Sequence, residues 1–454
     1  MSLQFITGNS GNGKTEYLFN RIVKEAKENP RDNYLVIVPE QFTMQTQRQL
    51  VDLSENKVIM NIDVLSFKRL AYRVFDELGI TNLTVLEETG KNLVLRKLAA
   101  QEADKLGVIG RNLNRIGYIS EVKSLLSELV QYNISPEELG RYIASGRLSD
   151  TLSDKLKDVL VLYEAFEKFM QDKYITAEEI LNVLSNVAEE SAILRNSVIA
   201  FDEFTGFTPI QNQLIKKLFV ISKKIYVTLT IDCREDIFKS RGMQELFDMP
   251  KRTVKSLTEM AAFYGIEVEE PIILDKNYRL AENEELSFME QQLFRKRRCS
   301  FKKAPKHIHI DCLRDPKQEL TKIARRINEL VRNENLRYRD IAIVTGDVNI
   351  YAGYVREIFD KYNIPYFIDA TQEILFHPFI EFIRSIPDIA AQNFSADAVF
   401  RFLRCGFSEL LDSEIDVLEN YVLACGVRGK SAWDKKWVRL PKHKAGYDLE
   451  LLNQ

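Results

Sequence analysis

Apolar positions along this chain run in two regimes, short continuous blocks and longer stretches with helical spacing. Leu3-Gln4-Phe5-Ile6 predicts a short buried strand, and a helical pattern begins at Glu16-Tyr17-Leu18-Phe19. Residues 33–39 read as an apolar strand stopped by Pro39, with a helical stretch from near Gln41. Residues 58–62 predict a further short strand, followed by a helix over 67–78. From about Leu86 to Glu190 the spacing is helical. Ser135-Pro136-Glu137-Glu138 supplies an N-cap, a proline at the first helical position and a capping box, and Thr176-Ala177-Glu178-Glu179 is a second such box. Residues 197–201 and 224–230 then predict two more buried strands. A helical block inserted between two halves of one sheet accounts for this order most economically. It assigns residues 1–85 and 195–290 to one split α/β domain and residues 86–194 to the insertion.

A basic stretch, Phe294-Arg295-Lys296-Arg297-Arg298, leads into a second α/β unit. Its signs are a strand at 307–312, a helix at 318–333 and a strand at 340–344, so residues 291–395 are expected to form the first part of a second domain. Residues 396–454 are expected to begin a second helical insertion, truncated at Gln454. With 454 residues the prior is two to four domains. The composition, 45% hydrophobic and 28% charged, is that of a globular protein. No apolar run is long enough to span a bilayer. A net charge of −3 excludes a globally basic nucleic-acid binder, so any DNA path must be a local groove. The five cysteines are scattered without a CxxC pair, which suits free thiols in a reducing cytoplasm rather than a metal cluster.

Gly8-Asn9-Ser10-Gly11-Asn12-Gly13-Lys14-Thr15 fits the phosphate-binding loop at every fixed position. A Gly/Asn-rich turn could match by chance, but the strand before it and the helix after it are the context that the motif requires. The glycines let backbone N–H groups converge on a phosphate at a helix N-terminus. Lys14 would reach the β- and γ-phosphates of ATP, and Thr15 would give its hydroxyl to Mg²⁺. The site needs a carboxylate at the end of a neighbouring strand. Asp202-Glu203, directly after 197–201, is the candidate, Asp202 for the metal and Glu203 to polarise the attacking water. Arg279, in Leu274-Asp275-Lys276-Asn277-Tyr278-Arg279, either reaches the γ-phosphate or is a surface-loop arginine.

The P-loop, Val38-Pro39-Glu40-Gln41-Phe42-Thr43, Asp202-Glu203-Phe204 and Leu274…Asn277-Tyr278-Arg279 occur in the order of UvrD/RecB-like helicases. The chain more specifically resembles the AddB family, the second subunits of AddAB (RexAB-type) helicase–nucleases. The residues that carry this are Pro39-Glu40-Gln41-Phe42-Thr43, Ser66-Phe67-Lys68-Arg69-Leu70-Ala71-Tyr72-Arg73-Val74, Phe207-Thr208-Pro209 and Ile364-Pro365-Tyr366-Phe367-Ile368-Asp369. His377-Pro378-Phe379-Ile380-Glu381-Phe382 and Leu418-Glu419-Asn420-Tyr421 extend it to about Gly429. The resemblance implies a P-loop NTPase fold of the UvrD/RecB-like helicase type, with a helical insertion and a second RecA-like domain. It also implies a heterodimer with an AddA-type helicase–nuclease subunit that processes double-strand DNA ends for homologous recombination repair.

Within that resemblance, Gln41, Thr43, Phe67, Arg69, Tyr72 and Phe207 fall where the unwound single strand is scanned for the Chi sequence. Aromatic faces stack unpaired bases, while arginine, glutamine and threonine read base edges or phosphates. Phe67 and Tyr72, at helical spacing, could instead be core. The departures matter too. Motor members carry a glutamine two residues after the Asp-Glu pair, where this chain has Thr205. The Gly-Asp…Gln…Tyr segment is reduced to Thr230-Ile231-Asp232-Cys233-Arg234. These changes imply a subunit that binds ATP without acting as a motor; an active UvrD-like helicase is the alternative. The family's nuclease domain and 4Fe-4S cluster are expected only in a part of the full-length protein outside this segment.

Overall fold

The computed structural model describes residues 1–81, 84–108, 116–146, 148–170, 174–295, 299–370, 374–441 and 447–453. Lys296, Arg297 and Arg298 of the basic stretch, and Gln454, lie outside the described residues. The chain divides into two compact units, Met1–His309 and Ile310–Gln454.

The first unit opens with β1 (Ser2–Gly8), α1 (Lys14–Glu28), β2 (Tyr34–Ile37), α2 (Thr43–Leu53), β3 (Ile62–Leu65) and α3 (Phe67–Leu78). Then come β4 (Val85–Leu86), α4 (Glu88–Gln101), α5 (Ile116–Gln131), α6 (Pro136–Ala144), α7 (Asp150–Met170), β5 (Ile175–Thr176) and α8 (Ile180–Val187). The unit closes with β6 (Val198–Phe201), α9 (Pro209–Ile221), β7 (Lys224–Thr230), α10 (Asp248–Phe263), β8 (Glu267–Val268), β9 (Ile272–Leu274) and α11 (Glu284–Gln292). The main sheet has the order β3-β2-β6-β7-β1-β8, with β9 also on β1, and its pairings are parallel. Strand alternation sorts the side chains onto two faces. Leu3, Phe5, Leu35, Ile37, Ile199, Phe201, Ile225 and Val227 pack with α3, α8 and α9 on one side. Ile6, Tyr34, Val36, Val198, Ala200 and Tyr226 meet Leu18, Phe19 and Ile22 of α1 on the other. Both faces are covered, as a parallel sheet requires.

The helices α4 to α7 have their own core, which includes Leu95, Leu98, Ile119, Leu126, Leu162 and Phe166. Ile180 and Leu184 of α8 instead join the sheet core. Ser135 and Glu138 form the expected capping box at the start of α6. Thr176 and Glu179 make the same reciprocal bonds, but across a turn that precedes α8, whose N-cap is Glu179. The strand expected at 58–62 forms later, as β3. Ile62 is the residue that comes level with Tyr34 of β2, whereas Val58 and Met60 are 58% and 93% exposed.

The second unit contains α12 (Pro316–Asn333), α13 (Val348–Lys361), α14 (Pro378–Ala391), α15 (Ala396–Leu403) and α16 (Asp412–Cys425). Leu320, Ala324 and Ile327 of α12 pack on Ile358 and Phe359 of α13. The strands expected at 307–312 and 340–344 are not formed; Asp340 ends a short 3-10 turn, Tyr338–Asp340, and the other residues are irregular. A parallel strand is held by ladder bonds to neighbours, and among the described residues neither segment belongs to a sheet. Ile310 and Val344 consequently face outward, 93% and 91% exposed, while Ile341 is half-buried against the core of α12 and α13.

Candidate nucleotide-binding site

β1 delivers the chain into the loop at Gly8, and α1 begins at Lys14. Gly11 and Gly13 have φ of +89° and +76°, a left-handed conformation that other residues adopt only under strain. Gly13 caps α1 with no side-chain hydrogen bond. The first N–H groups of the helix are thus not spoken for by a capping side chain, which suits an anion. Lys14 Nζ rests on the carbonyls of Gly8 and Asn9, at 3.1 and 3.0 Å. Burial pushes its ammonium below the ordinary lysine value, and the carboxylates of Asp202 and Glu203 pull against that shift.

The segment after β9 is built onto this loop. Asn12 Nδ2 donates to the Leu274 carbonyl at 2.6 Å, and Asn277 Nδ2 donates to the Ser10 carbonyl at 3.0 Å. The backbone N–H groups of Tyr278 and Arg279 donate to the Gly11 carbonyl at 3.0 and 3.3 Å. A Cβ on Gly11 would come within 2.8 Å of Arg279 Cβ and Asn277 Oδ1. On the other flank, Asn9 accepts from the Cys233 N–H at 2.9 Å and donates to Glu290 Oε1 at 2.7 Å.

Across the cavity, β6 ends at Phe201 and Asp202 follows, 1% exposed. Its Oδ1 accepts a hydrogen bond from the Thr228 hydroxyl, while Oδ2 makes none. Burial raises this carboxyl above the usual carboxylate range, against the Thr228 hydrogen bond. Glu203 holds a φ of +63°, a strained backbone for a non-glycine residue, and such strain clusters at functional sites. The Thr15 hydroxyl donates to Glu203 Oε1 at 3.4 Å. Lys14, Thr15, Asp202, Glu203 and Arg279 line one cavity of about 720 Å³. A buried carboxylate oxygen without a partner, beside a threonine hydroxyl and a phosphate-type loop, fits Mg²⁺ carried on a nucleotide. Among the described residues no cluster of three or more His, Cys, Asp or Glu side chains assembles.

The residues expected to meet DNA fall into two groups. Gln41 is exposed on the short turn Glu40–Phe42, and Glu40 ties that turn to α3 by accepting from the Ser66 hydroxyl and from Arg69 Nε, the latter at 3.1 Å. Arg69 and Tyr72 are exposed on α3. Thr43, however, is 4% exposed, and its hydroxyl donates to the Glu40 carbonyl at 3.0 Å. Phe67 is 7% exposed, packed on the rings of Phe201, Phe204 and half-buried Phe207 with centroids 5.8, 5.5 and 6.4 Å away.

The motifs assign no role to Thr228, which lies outside them, nor to Thr230 and Tyr278, which lie within them, yet all three line the same cavity. The signal for the two threonines is a period of two. Thr228 and Thr230 interrupt an apolar strand on alternate positions, which marks one face of β7 as polar.

A family model described as "ADDB, N-terminal" matches residues 5–290. A curated relative from Lachnoclostridium phytofermentans is 39% identical over 456 residues, covering 99% of this chain and 40% of its own length. One from Clostridium tetani is 34% identical over 448 residues, covering 96% of this chain and 38% of its own length. Both are named as the B-type subunit of an ATP-dependent helicase/deoxyribonuclease, and the chain spans about 40% of the length of such relatives. No helix among the described residues is long and apolar enough to cross a membrane. With the matched residues covering the P-loop, Asp202-Glu203 and Arg279 alike, the chain belongs to the AddB family.

Proposed function

We propose that this chain binds ATP with Mg²⁺ at the P-loop and single-stranded DNA beside it, as the non-motor subunit of a heterodimeric helicase–exonuclease. The observation that carries the reading is the convergence of Lys14, Thr15, Asp202 and Arg279 on one cavity from separate parts of the sequence. Lys14 would leave its two carbonyls for the β- and γ-phosphates, the uncapped start of α1 would hold the phosphate by its N–H groups, and Arg279 would face the γ-phosphate. Thr15 and Asp202 would hold Mg²⁺, whose charge offsets that of the phosphates. Glu203 would orient water. Tyr278, 64% exposed, offers a ring face to a base.

Membership of the family supports the following reading of fold and partners. The scaffold is UvrD/RecB-like, split between residues 1–85 and 195–290, with residues 86–194 as an insertion. Residues 291–395 begin a second RecA-like domain, and 396–454 begin a second insertion. In this region Val344 and Phe367 expose apolar side chains beside a cavity that they border with α12 and α13. The partner is an AddA-type subunit, in the cytoplasm, and the complex processes double-strand breaks and recognises Chi. The nuclease domain and the 4Fe-4S cluster belong to the part of the relatives that this chain does not span. For DNA, Gln41, Arg69 and Tyr72 would touch the strand, while Thr43, Phe67 and Phe207 would support that surface from beneath.

Thr205, in place of the motor glutamine, is why the chain is read as unable to drive translocation. Unwinding and DNA-stimulated ATPase assays on the 454-residue chain test this. Nucleotide and single-strand binding with negligible unwinding is expected, and robust unwinding by the chain alone would overturn the non-motor reading.

A further inference from the structure

We infer that Thr228 is the positioning residue for the divalent cation of this site, acting through Asp202; the inference rests on the nucleotide-binding reading above. β7 lies between β6, which leads into Asp202, and β1, which leads into the P-loop. Val227 is level with Phe201 on one side, and Thr228 is level with Ile6 on the other. Thr228 therefore stands one step beyond the last rung of the β6–β7 ladder, beside Asp202. Alternation along β7 turns Val227 and Leu229 into the apolar core and leaves Thr228 and Thr230 on the cavity wall.

Thr228 and Asp202 are 3% and 1% exposed, so bulk water does not compete for their contact. An aspartate has two side-chain torsions, and its cation-binding oxygen is defined only when both are fixed. The Thr228 hydroxyl takes Oδ1 and thereby leaves Oδ2 as the oxygen without a hydrogen bond. Partners that orient a ligating carboxylate without touching the metal govern affinity in this way. A β-branched threonine suits the role, since its χ1 is itself restricted.

The test is titration of the 454-residue chain with a non-hydrolysable ATP analogue, with Mg²⁺ and with EDTA. Thr228→Val keeps the shape and removes the donor. It should leave the affinity in EDTA unchanged and raise the Mg²⁺ concentration needed for tightening by about tenfold. Thr228→Ser should restore the wild-type requirement. Thr228→Ala replaces the valine variant should that one melt early, and the same weakened Mg²⁺ response is expected. A wild-type Mg²⁺ requirement in a folded valine or alanine variant would overturn the inference, as would a serine variant as weak as valine. Absence of nucleotide binding by the wild type would instead overturn the reading on which the inference rests.

Discussion

Asn12 donates its side-chain amide to the carbonyl of Leu274, 2.6 Å away and 262 residues later in the sequence. Together with Asn277 on Ser10, this makes the P-loop and the Leu274–Arg279 segment one built structure. Asn12 is 2% exposed. Asn12→Ala should therefore remove this bond to the half-buried Leu274 carbonyl and destabilise the first unit by ~1–3 kcal/mol. Thermal melts of the two proteins check this, and an unchanged melting temperature would show that the contact is dispensable.

Gly11→Ala tests the same arrangement from the steric side. The new Cβ would meet Arg279 and Asn277 at 2.8 Å and would sit at a φ of +89°. The loop must shift, so nucleotide affinity should fall by at least about tenfold, equivalent to ~1.4 kcal/mol. Calorimetric titration with ATP and Mg²⁺ reads this, and wild-type affinity would mean that the loop and the arginine segment are not packed together.

Phe67 and Arg69 should separate cleanly. Phe67→Ala should cost ~3–5 kcal/mol of stability, because the ring lies in the core among three other phenylalanines. Arg69→Ala should melt normally and weaken single-strand binding by ~1–3 kcal/mol. Gln41→Ala should keep generic binding and erode preference for a Chi-containing strand, since base contacts specify and phosphate contacts position. Competition between random and Chi-containing strands, beside melting curves, distinguishes these outcomes. Unchanged affinity and preference in both Arg69→Ala and Gln41→Ala would place the DNA surface elsewhere.

Asp232 carries a pH dependence. Burial alone would raise its carboxyl, but the Arg234 guanidinium and backbone N–H, with Arg295 beyond, hold it at about 2. Its folded value lies below the unfolded one of 3.8. Its contribution, about 2 kcal/mol, is thus complete above pH 4 and is lost as pH falls towards 2. Denaturant melts from pH 6 to 2 should show Asp232→Asn converging on wild type at the acid end. A constant gap across that range would contradict the assignment.

The first unit was legible because its strands are continuous apolar blocks and its P-loop has fixed spacing. The β1 strand, α1 and α3 follow directly from Leu3-Gln4-Phe5-Ile6, Leu18-Phe19 and Phe67–Leu78. The strand expected at 58–62 was misplaced because apolar content alone does not fix register; pairing of Ile62 with Tyr34 does. At 340–344 the composition suits a strand, yet a parallel strand depends on neighbours that local sequence cannot supply. That Lys14, Asp202 and Arg279 would come together was readable from motifs, and they line one cavity. Thr228 was not, since its meaning comes from its hydrogen bond to Asp202, which follows the end of the adjacent strand. Phe67 shows the limit of the opposite kind: aromatic chemistry suggested a stacking face, whereas its helix position turned the ring inward.

The central claim, that this fold holds a magnesium–nucleotide complex on the P-loop, is tested most directly by calorimetric titration of wild type and Lys14→Ala with ATP and Mg²⁺. Lys14 lies between two carbonyls, poised to exchange them for phosphate oxygens. The variant should fold normally and bind ATP at least tenfold more weakly, a loss of ~1.4 kcal/mol or more. Equal affinities in the two proteins would contradict the account.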